Sequence, residues 1–340
     1  MVQKSAFRGR GKNEADFRTA TLAGEPTTPD FCLPFVLADG AFRGRLVRMS
    51  AAVDEILRRQ NDPAPVGELL AECLAAAVAL AGGIKYDGVF TLQVQSKGAV
   101  HTLVADVTTA GHVRACAKFD AERLTKELAK GRPEHLAAHL LGEGHLAFTV
   151  DQGPDMERYQ GIVELTGASL ADTVHHYFRQ SEQLASALMI AVRPPAAARP
   201  TWQAASMLIQ RMPEMGGKPV LSDDDAEDAW RTAVILMGSA TRAEMLDAAL
   251  GPFALLHRLF ATIGVRAAAA KPVMFGCRCS RERSERILAS FPREEVRALA
   301  EDDATIRMTC EFCRTDYVFS EAEIDAVAAG ATAEDANSPG

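Results

Sequence analysis

The cysteines are unevenly distributed along this chain, and their spacing constrains its last quarter more than any other feature. Three are scattered through the first part, at Cys32, Cys73 and Cys116. The remaining four form a C-x-C pair within FGCRCS and a C-x-x-C pair within CEFC; they are Cys277, Cys279, Cys310 and Cys313. Zinc takes four thiolates readily in a tetrahedral site, and two close pairs separated by a module-sized spacer supply them. The sequence therefore predicts one Zn²⁺ per chain on these four sulfurs, with Cys32, Cys73 and Cys116 as buried core residues.

The sequence around the two pairs predicts a small folded unit. Segments of β character, Thr305–Thr309 and Asp316–Phe319, flank the C-x-x-C pair, so both of its sulfurs are expected at a hairpin tip. Ser320–Glu323 reads as a capping box that begins a closing helix. Two short helices are expected between the pairs, over Arg281–Ser290 and Arg293–Ala300. Few large apolar side chains occur here, so metal ligation is expected to supply part of the stability.

Upstream, helical periodicity alternates with period-two patterns, which predicts an α+β core domain over residues 29–213. Ser50 is expected to cap a helix over Ala51–Arg59, and a second helix should end at about Ala81. The expected strands are Val89–Gln95, Val100–Val107, His112–Ala117, His145–Asp151, Tyr159–Leu165 and Leu184–Val192, with a helix over Leu170–Gln180. Short connections between successive strands predict an antiparallel meander.

Residues 214–270 have a helical pattern and are predicted to link the core to the zinc unit. A helix is expected from Ser222, and a capping box at Thr241–Glu244 should begin another. Apolar side chains line one face of these helices, among them Trp230, Val234 and Leu259. The zinc domain is assigned to residues 271–330, and residues 1–28 and 331–340 are predicted to be disordered tails.

Charge and composition exclude several classes of function. The formal net charge is -8, which disfavours nucleic acid as a partner. No signal peptide and no apolar run of membrane-spanning length is recognised, so a cytoplasmic protein without a membrane partner is expected. A P-loop is absent from the sequence, and no histidine follows His257. Hydrolytic zinc chemistry needs an open coordination position, which four cysteines do not leave, so no catalytic residue and no enzymatic activity are expected.

Four readings of the cysteine cluster remain open on the residues alone. The four thiols could be small buried hydrophobes, an inert structural zinc ribbon, a thiol-disulfide oxidoreductase centre or an oxidation switch. A switch is chemically reasonable because metal-bound sulfur is deprotonated and therefore nucleophilic towards peroxide. A sulfenic acid beside a neighbouring thiol condenses to a disulfide, which removes two ligands from the metal.

Several segments, taken in order, resemble the redox-regulated 33 kDa heat-shock chaperonins of bacteria. The resemblance runs from about Asp30 to Gly330. It is carried by LAGGIKYDGVFTLQVQ at Leu80–Gln95, ERYQGIVEL at Glu157–Leu165, YFRQSEQL at Tyr177–Leu184, MLIQRMP at Met207–Pro213, LLHRLF at Leu255–Phe260, FGCRCSRER at Phe275–Arg283 and CEFC at Cys310–Cys313. Ser96 and Ala99 depart from the residues usual in the family.

The resemblance implies an architecture and a mechanism. It implies an α+β core, a helical metastable linker and a C-terminal zinc-binding redox switch. On oxidation, Cys277 would pair with Cys279 and Cys310 with Cys313, zinc would be released, and the linker would be destabilised. The protein would then hold unfolding client proteins without ATP during stress, usually as a homodimer.

Overall fold

A computed structural model describes residues 18–19, 26–131, 133–153, 158–212, 223–300, 305–320 and 322–325. The strands are β1 (Arg18–Thr19), β2 (Phe31–Leu37), β3 (Phe42–Met49), β4 (Val89–Ser96), β5 (Val100–Thr108), β6 (His112–Phe119), β7 (Gly144–Asp151), β8 (Tyr159–Glu164), β9 (Ser186–Arg193), β10 (Gln203–Arg211), β11 (Val265–Ala267), β12 (Lys271–Pro272), β13 (Met274–Phe275), β14 (Thr305–Thr309) and β15 (Asp316–Ser320). The α-helices are α1 (Ala51–Gln60), α2 (Ala64–Ala81), α3 (Ala121–Leu128), α4 (Leu136–Leu141), α5 (Leu170–Tyr177), α6 (Asp223–Gly238), α7 (Arg242–Met245), α8 (Pro252–Phe260), α9 (Arg281–Ala289) and α10 (Arg293–Arg297). The α+β fold class is therefore confirmed.

The chain divides into two compact units, Met1–Phe275 and Gly276–Gly340. Residues 271–275 group with the first unit because β12 pairs with β2 and β13 pairs with β6. The predicted division of the first unit into core and linker stays a prediction. Arg18–Thr19, within the predicted N-terminal tail, pairs with β11, whereas residues 331–340 lie outside the described part of the chain.

The described residues of the first unit form two sheets. One has the order β1-β11-β2-β3-β10-β9, with β12 also paired to β2, and the other has the order β13-β6-β5-β4-β7-β8. The predicted meander is correct for β4, β5 and β6 and again for the antiparallel pair β7 and β8, but the two runs are not continuous with each other. Strand β7 pairs with the opposite side of β4, because the chain crosses back through α3 and α4 before β7 begins.

Helix α2 packs against both sheets and forms the centre of the larger core. Side chains of α2, of β3 and β10 in the first sheet, and of β4 and β5 in the second belong to one buried apolar cluster. By length and composition alone α2 could cross a membrane, contrary to the expectation that no apolar run is long enough. In the structure 78% of this helix is buried inside the protein, as expected for a core helix.

The opposite face of the first sheet is covered by α6, α7 and α8, which we call the linker helices. Phe35 on β2 stacks on Phe260 of α8 with ring centroids 5.9 Å apart, and Phe42 on β3 meets Trp230 of α6 edge-on at 5.5 Å. A second buried cluster joins Leu33, Leu46, Met207 and Ile209 of the sheet to Met237, Met245, Leu255, Leu256 and Leu259 of these helices. The first sheet is therefore buried on both faces.

Helix α1 is capped differently from the expectation. Ser50 occupies the position before the helix, but its side chain makes no capping hydrogen bond. The Asp30 carboxylate instead accepts hydrogen bonds from the backbone N–H groups of Ser50, Ala51 and Ala52. A charged acceptor satisfies several free N–H groups at once and suits the positive end of the helix, so it displaces the local hydroxyl.

Candidate metal centre

The four cysteines of the predicted site converge within the second unit. Their sulfur atoms all lie within 4.8 Å of one another. The Sγ atoms of Cys277 and Cys310 are 3.7 Å apart, and those of Cys279 and Cys313 are 3.3 Å apart. All four are free thiols in this structure. A disulfide would hold two sulfurs at about 2.05 Å, so these distances describe a cluster of reduced thiols.

Local structure explains how each pair is positioned. Cys310 and Cys313 lie in the turn between β14 and β15, which pair in antiparallel register. The Cys310 N–H donates to the Thr315 carbonyl at 2.9 Å, and Arg314 adopts a positive φ of 56°, which closes the turn. The predicted hairpin tip is therefore confirmed. Cys277 and Cys279 directly precede α9, whose cap Ser280 accepts from the Arg283 N–H.

The unit around the cysteines has a small apolar core. Its buried members are Leu288, Val296, Ile306, Phe319 and Ile324. Arg281 joins α9 to the hairpin: its guanidinium lies 4.4 Å from the Phe319 ring centroid, donates to the Val318 carbonyl at 2.9 Å and pairs with Glu323 at 2.8 Å. The predicted Ser320–Glu323 capping box is also present. Among the residues of this unit that the structure describes, five buried apolar side chains make a weak core, so the cysteine cluster occupies the place where further stabilisation is needed.

Two side chains that the sequence analysis did not single out contact the sulfurs. The Tyr317 hydroxyl donates to the Cys279 sulfur at 3.2 Å, and the Thr315 hydroxyl lies 3.2 Å from the Cys313 sulfur. Both follow the C-x-x-C pair, Thr315 in the turn and Tyr317 on β15, so their proximity depends on how the hairpin folds. A hydroxyl that donates to a thiolate stabilises its negative charge and lowers its reactivity.

Burial and hydrogen bonding shift the pKa values of the clustered cysteine thiols in different directions. Burial raises the pKa of Cys279 to about 12, against the opposing hydrogen bond from Tyr317, and burial also raises the pKa of Cys310. For Cys313, burial acts to raise the pKa, but hydrogen bonds from Thr315 and the neighbouring sulfurs lower it to about 7. Neutral thiols are therefore favoured at Cys279 and Cys310 unless a cation compensates the charge.

The donor set fits a tetrahedral metal ion. Four thiolates at the usual zinc–sulfur bond length of about 2.3 Å would lie about 3.8 Å from one another, within the range observed here. Sulfur donors favour zinc over magnesium or calcium, which take oxygen ligands. The cluster can therefore hold a metal ion.

The remaining cysteines are buried within the first unit, as predicted. Cys73 lies on α2, and burial raises its pKa far above the usual range. Burial also raises the pKa of Cys32, which the nearby Arg45 charge only partly opposes. The raised pKa values favour the protonated, unreactive form of the Cys32 and Cys73 thiols.

Comparison with known proteins agrees with the fold. A family model described as "Hsp33 protein" matches residues 30–320. A protein named 33 kDa chaperonin from Caulobacter vibrioides is 36% identical over 293 residues, which are 85% of this chain and 94% of that protein. A 33 kDa chaperonin of Pseudomonas fluorescens is 32% identical over 303 residues, 89% of this chain and 94% of the relative. The crystal structure of a 33 kDa chaperonin from Thermotoga maritima superposes with a TM-score of 0.73 at 21% identity, covering 90% of this chain and all of the other.

The fold, the thiol cluster and these relatives together define a molecular chaperone with a separate four-cysteine unit. Relatives above 30% identity are matched over most of their own length. The chain belongs to the Hsp33 family.

Proposed function

We propose that this chaperone is an ATP-independent holdase whose activity is switched on by oxidation of Cys277, Cys279, Cys310 and Cys313. The observation that carries the proposal is the convergence of four reduced thiols in a unit whose described residues form a very small apolar core. Such a unit depends on its ligand cluster for stability, so chemistry at the sulfurs changes the fold as well as the redox state.

In the reduced state the four cysteines would hold one Zn²⁺, which keeps the sulfurs deprotonated. Two neighbouring side chains also influence the sulfurs. The Tyr317 hydroxyl and the Thr315 hydroxyl each lie within hydrogen-bond distance of one sulfur. These contacts orient the sulfurs and moderate their nucleophilicity. No free coordination position remains for substrate, which supports a structural and regulatory role for the metal rather than an enzymatic one.

Oxidation by hydrogen peroxide would remove two electrons from each pair of thiolates to give one disulfide, and the peroxide would take up these electrons and two protons from solvent to give two molecules of water. We propose the pairs Cys277–Cys279 and Cys310–Cys313. The sulfur distances of 3.3 and 3.7 Å given above join other combinations, but all four sulfurs lie within reach of one another. Once one bond forms and the cluster loosens, partners separated by only one or two intervening residues keep the highest effective concentration.

Loss of the four-thiolate set would unfold the second unit, and the linker would lose stability with it. The linker helices cover an apolar face of the first sheet that includes Phe35 and Phe42. Their release would expose a surface suited to unfolded polypeptides, which present apolar side chains of many sequences. The proposed partners are unfolding client proteins and, after oxidation, a second copy of this chain. We propose a cytoplasmic location, since a reducing compartment keeps the switch off until oxidants accumulate.

The test is to measure zinc content and client protection side by side on reduced and peroxide-treated protein. We expect about one zinc per chain before oxidation, its release afterwards, and suppression of light scattering by a thermally unfolding client only in the oxidised sample. Added dithiothreitol and zinc should reverse both changes. Release of zinc with unchanged protection would favour an inert zinc ribbon instead, and repeated disulfide exchange on a model substrate would favour an oxidoreductase.

A further inference from the structure

Arg48, on β3, makes a polar contact that neither the cysteine cluster nor the apolar packing explains. Its side chain is buried, with 8% exposure, although arginine is rarely buried in proteins. Its Nε donates to the Met245 carbonyl at 2.8 Å, and its two terminal nitrogens donate to the Leu250 carbonyl at 2.6 Å and to the Glu244 carbonyl at 3.1 Å. One guanidinium therefore binds two points of the segment 241–251, which contains α7 and leads into α8.

Two of the three carbonyls that Arg48 binds lie at the C-terminal end of a helix, and the third lies just before the next helix begins. Glu244 and Met245 are the last two residues of α7, which has only four residues. Leu250 immediately precedes Gly251, the cap of α8. Carbonyls at a helix C-terminus lack partners within the helix and carry partial negative charge, so a cation satisfies them particularly well. Arg48 thus acts as a C-terminal cap supplied by a strand nearly two hundred residues earlier in the chain.

The segment that Arg48 binds is held together by its own contacts. Thr241 and Glu244 form a reciprocal capping box, and Glu244 also pairs with Arg258 of α8 at 2.9 Å. Met245 is fully buried against the first sheet. The segment can therefore move away from the sheet as one piece, and the three bonds to Arg48 would then break together.

We propose that Arg48 is a polar latch that holds the linker helices on the first sheet and sets how readily the chaperone is switched on. This inference rests on the proposed function. The apolar contacts attract the helices without fixing their register, whereas the planar guanidinium requires three carbonyls in defined places. The latch remains reversible because both the guanidinium and the carbonyls regain water when the segment leaves.

The test compares two variants. Arg48→Lys keeps the positive charge but loses the planar guanidinium with its several N–H donors, and Arg48→Gln loses both the charge and the guanidinium. Arg43→Lys is the matched control, since Arg43 lies on the same strand with an exposed side chain. Hydrogen exchange of residues 241–250, zinc content and client protection are measured on fully reduced protein. We expect about tenfold faster exchange in Arg48→Lys, about 1.4 kcal/mol of lost protection, with zinc retained and partial chaperone activity without oxidant. The control should behave as wild type.

The outcomes separate this inference from the proposed function. If hydrogen exchange of residues 241–250 is unchanged in both Arg48→Lys and Arg48→Gln, the proposed latch is overturned. It is also overturned if Arg43→Lys speeds this exchange as much as the Arg48 variants do. Faster exchange in reduced variants that give no protection, while oxidised wild type protects, would also overturn it as a regulatory contact. If oxidised wild type itself gives no protection, the proposed function fails, and the exchange rates alone then decide whether Arg48 holds the segment.

Discussion

Replacement of Cys310 by serine removes one sulfur from the cluster while preserving the turn that carries it. The backbone hydrogen bond from Cys310 to Thr315, at 2.9 Å, does not involve the side chain. Apparent binding of structural zinc is worth about 10–16 kcal/mol, so an equal share for each of four sulfurs is about 3 kcal/mol. That loss lowers zinc affinity more than a hundredfold. A small core rarely contributes more than about 3–5 kcal/mol, and this unit buries only five apolar side chains among its described residues.

We therefore expect Cys310→Ser to bind zinc weakly, to lose cooperative unfolding of residues 276–340, and to protect clients partly without oxidant. Chelator competition gives the affinity, hydrogen exchange reports the folding of the unit, and light scattering of a heated client reports activity. Cys73→Ala is the control, because this thiol is buried on α2 outside the cluster. A Cys310→Ser protein that retains full zinc, a folded C-terminal unit and no activity would refute the coupling of metal, fold and function.

Three further predictions concern single side chains. Tyr317→Phe removes the hydroxyl that donates to the Cys279 sulfur. It should speed peroxide-driven zinc release about ten- to a hundredfold, because hydrogen bonds to charged groups contribute about 1.5–3 kcal/mol; an unchanged release rate would show that this bond does not moderate reactivity. Phe260→Ala empties a fully buried site that stacks on Phe35, and should cost about 3–5 kcal/mol. Backbone hydrogen exchange in α8 should become faster, and the reduced variant should gain chaperone activity. Unfolding of the whole protein without a gain in activity would show that the linker helices do not unfold independently of the rest. Burial raises the pKa of Glu72 to about 7, so its neutral form is favoured in the folded state and stability falls as pH rises from about 4.5 to 7. Glu72→Gln should raise the thermal midpoint at pH 8 and have little effect at pH 4.5; equal effects at both values would exclude this carboxyl as the cause.

The sequence predicted elements whose periodicity is visible along the chain. Strand β4 alternates Phe90, Leu92 and Val94 with exposed or half-buried polar residues, because only one of its faces packs against α2. Strands β2, β3 and β10 were missed. Both faces of these strands are buried, one beneath α2 and the other beneath the linker helices, so their sequences lack alternation.

The metal site could be predicted because the constraint that creates it is local. Two thiols in C-x-C and two in C-x-x-C are brought together by the chain itself, and tetrahedral coordination then needs only one hairpin and one helix start. The hydroxyl of Tyr317 could not be assigned to Cys279 in advance, since that contact depends on how the hairpin folds against the segment before α9.

Sequence alone determined the four-cysteine cluster, the α+β class and the helical nature of the linker, because spacing and periodicity act over a few residues. Only the tertiary structure decided that Asp30 caps α1 and that Arg48 binds the end of α7. Each of these polar groups finds its partner in a distant segment, where a free backbone donor or acceptor would otherwise be buried. Buried backbone donors and acceptors need hydrogen-bond partners, and this need determines which distant groups meet. It leaves no periodic pattern in the sequence.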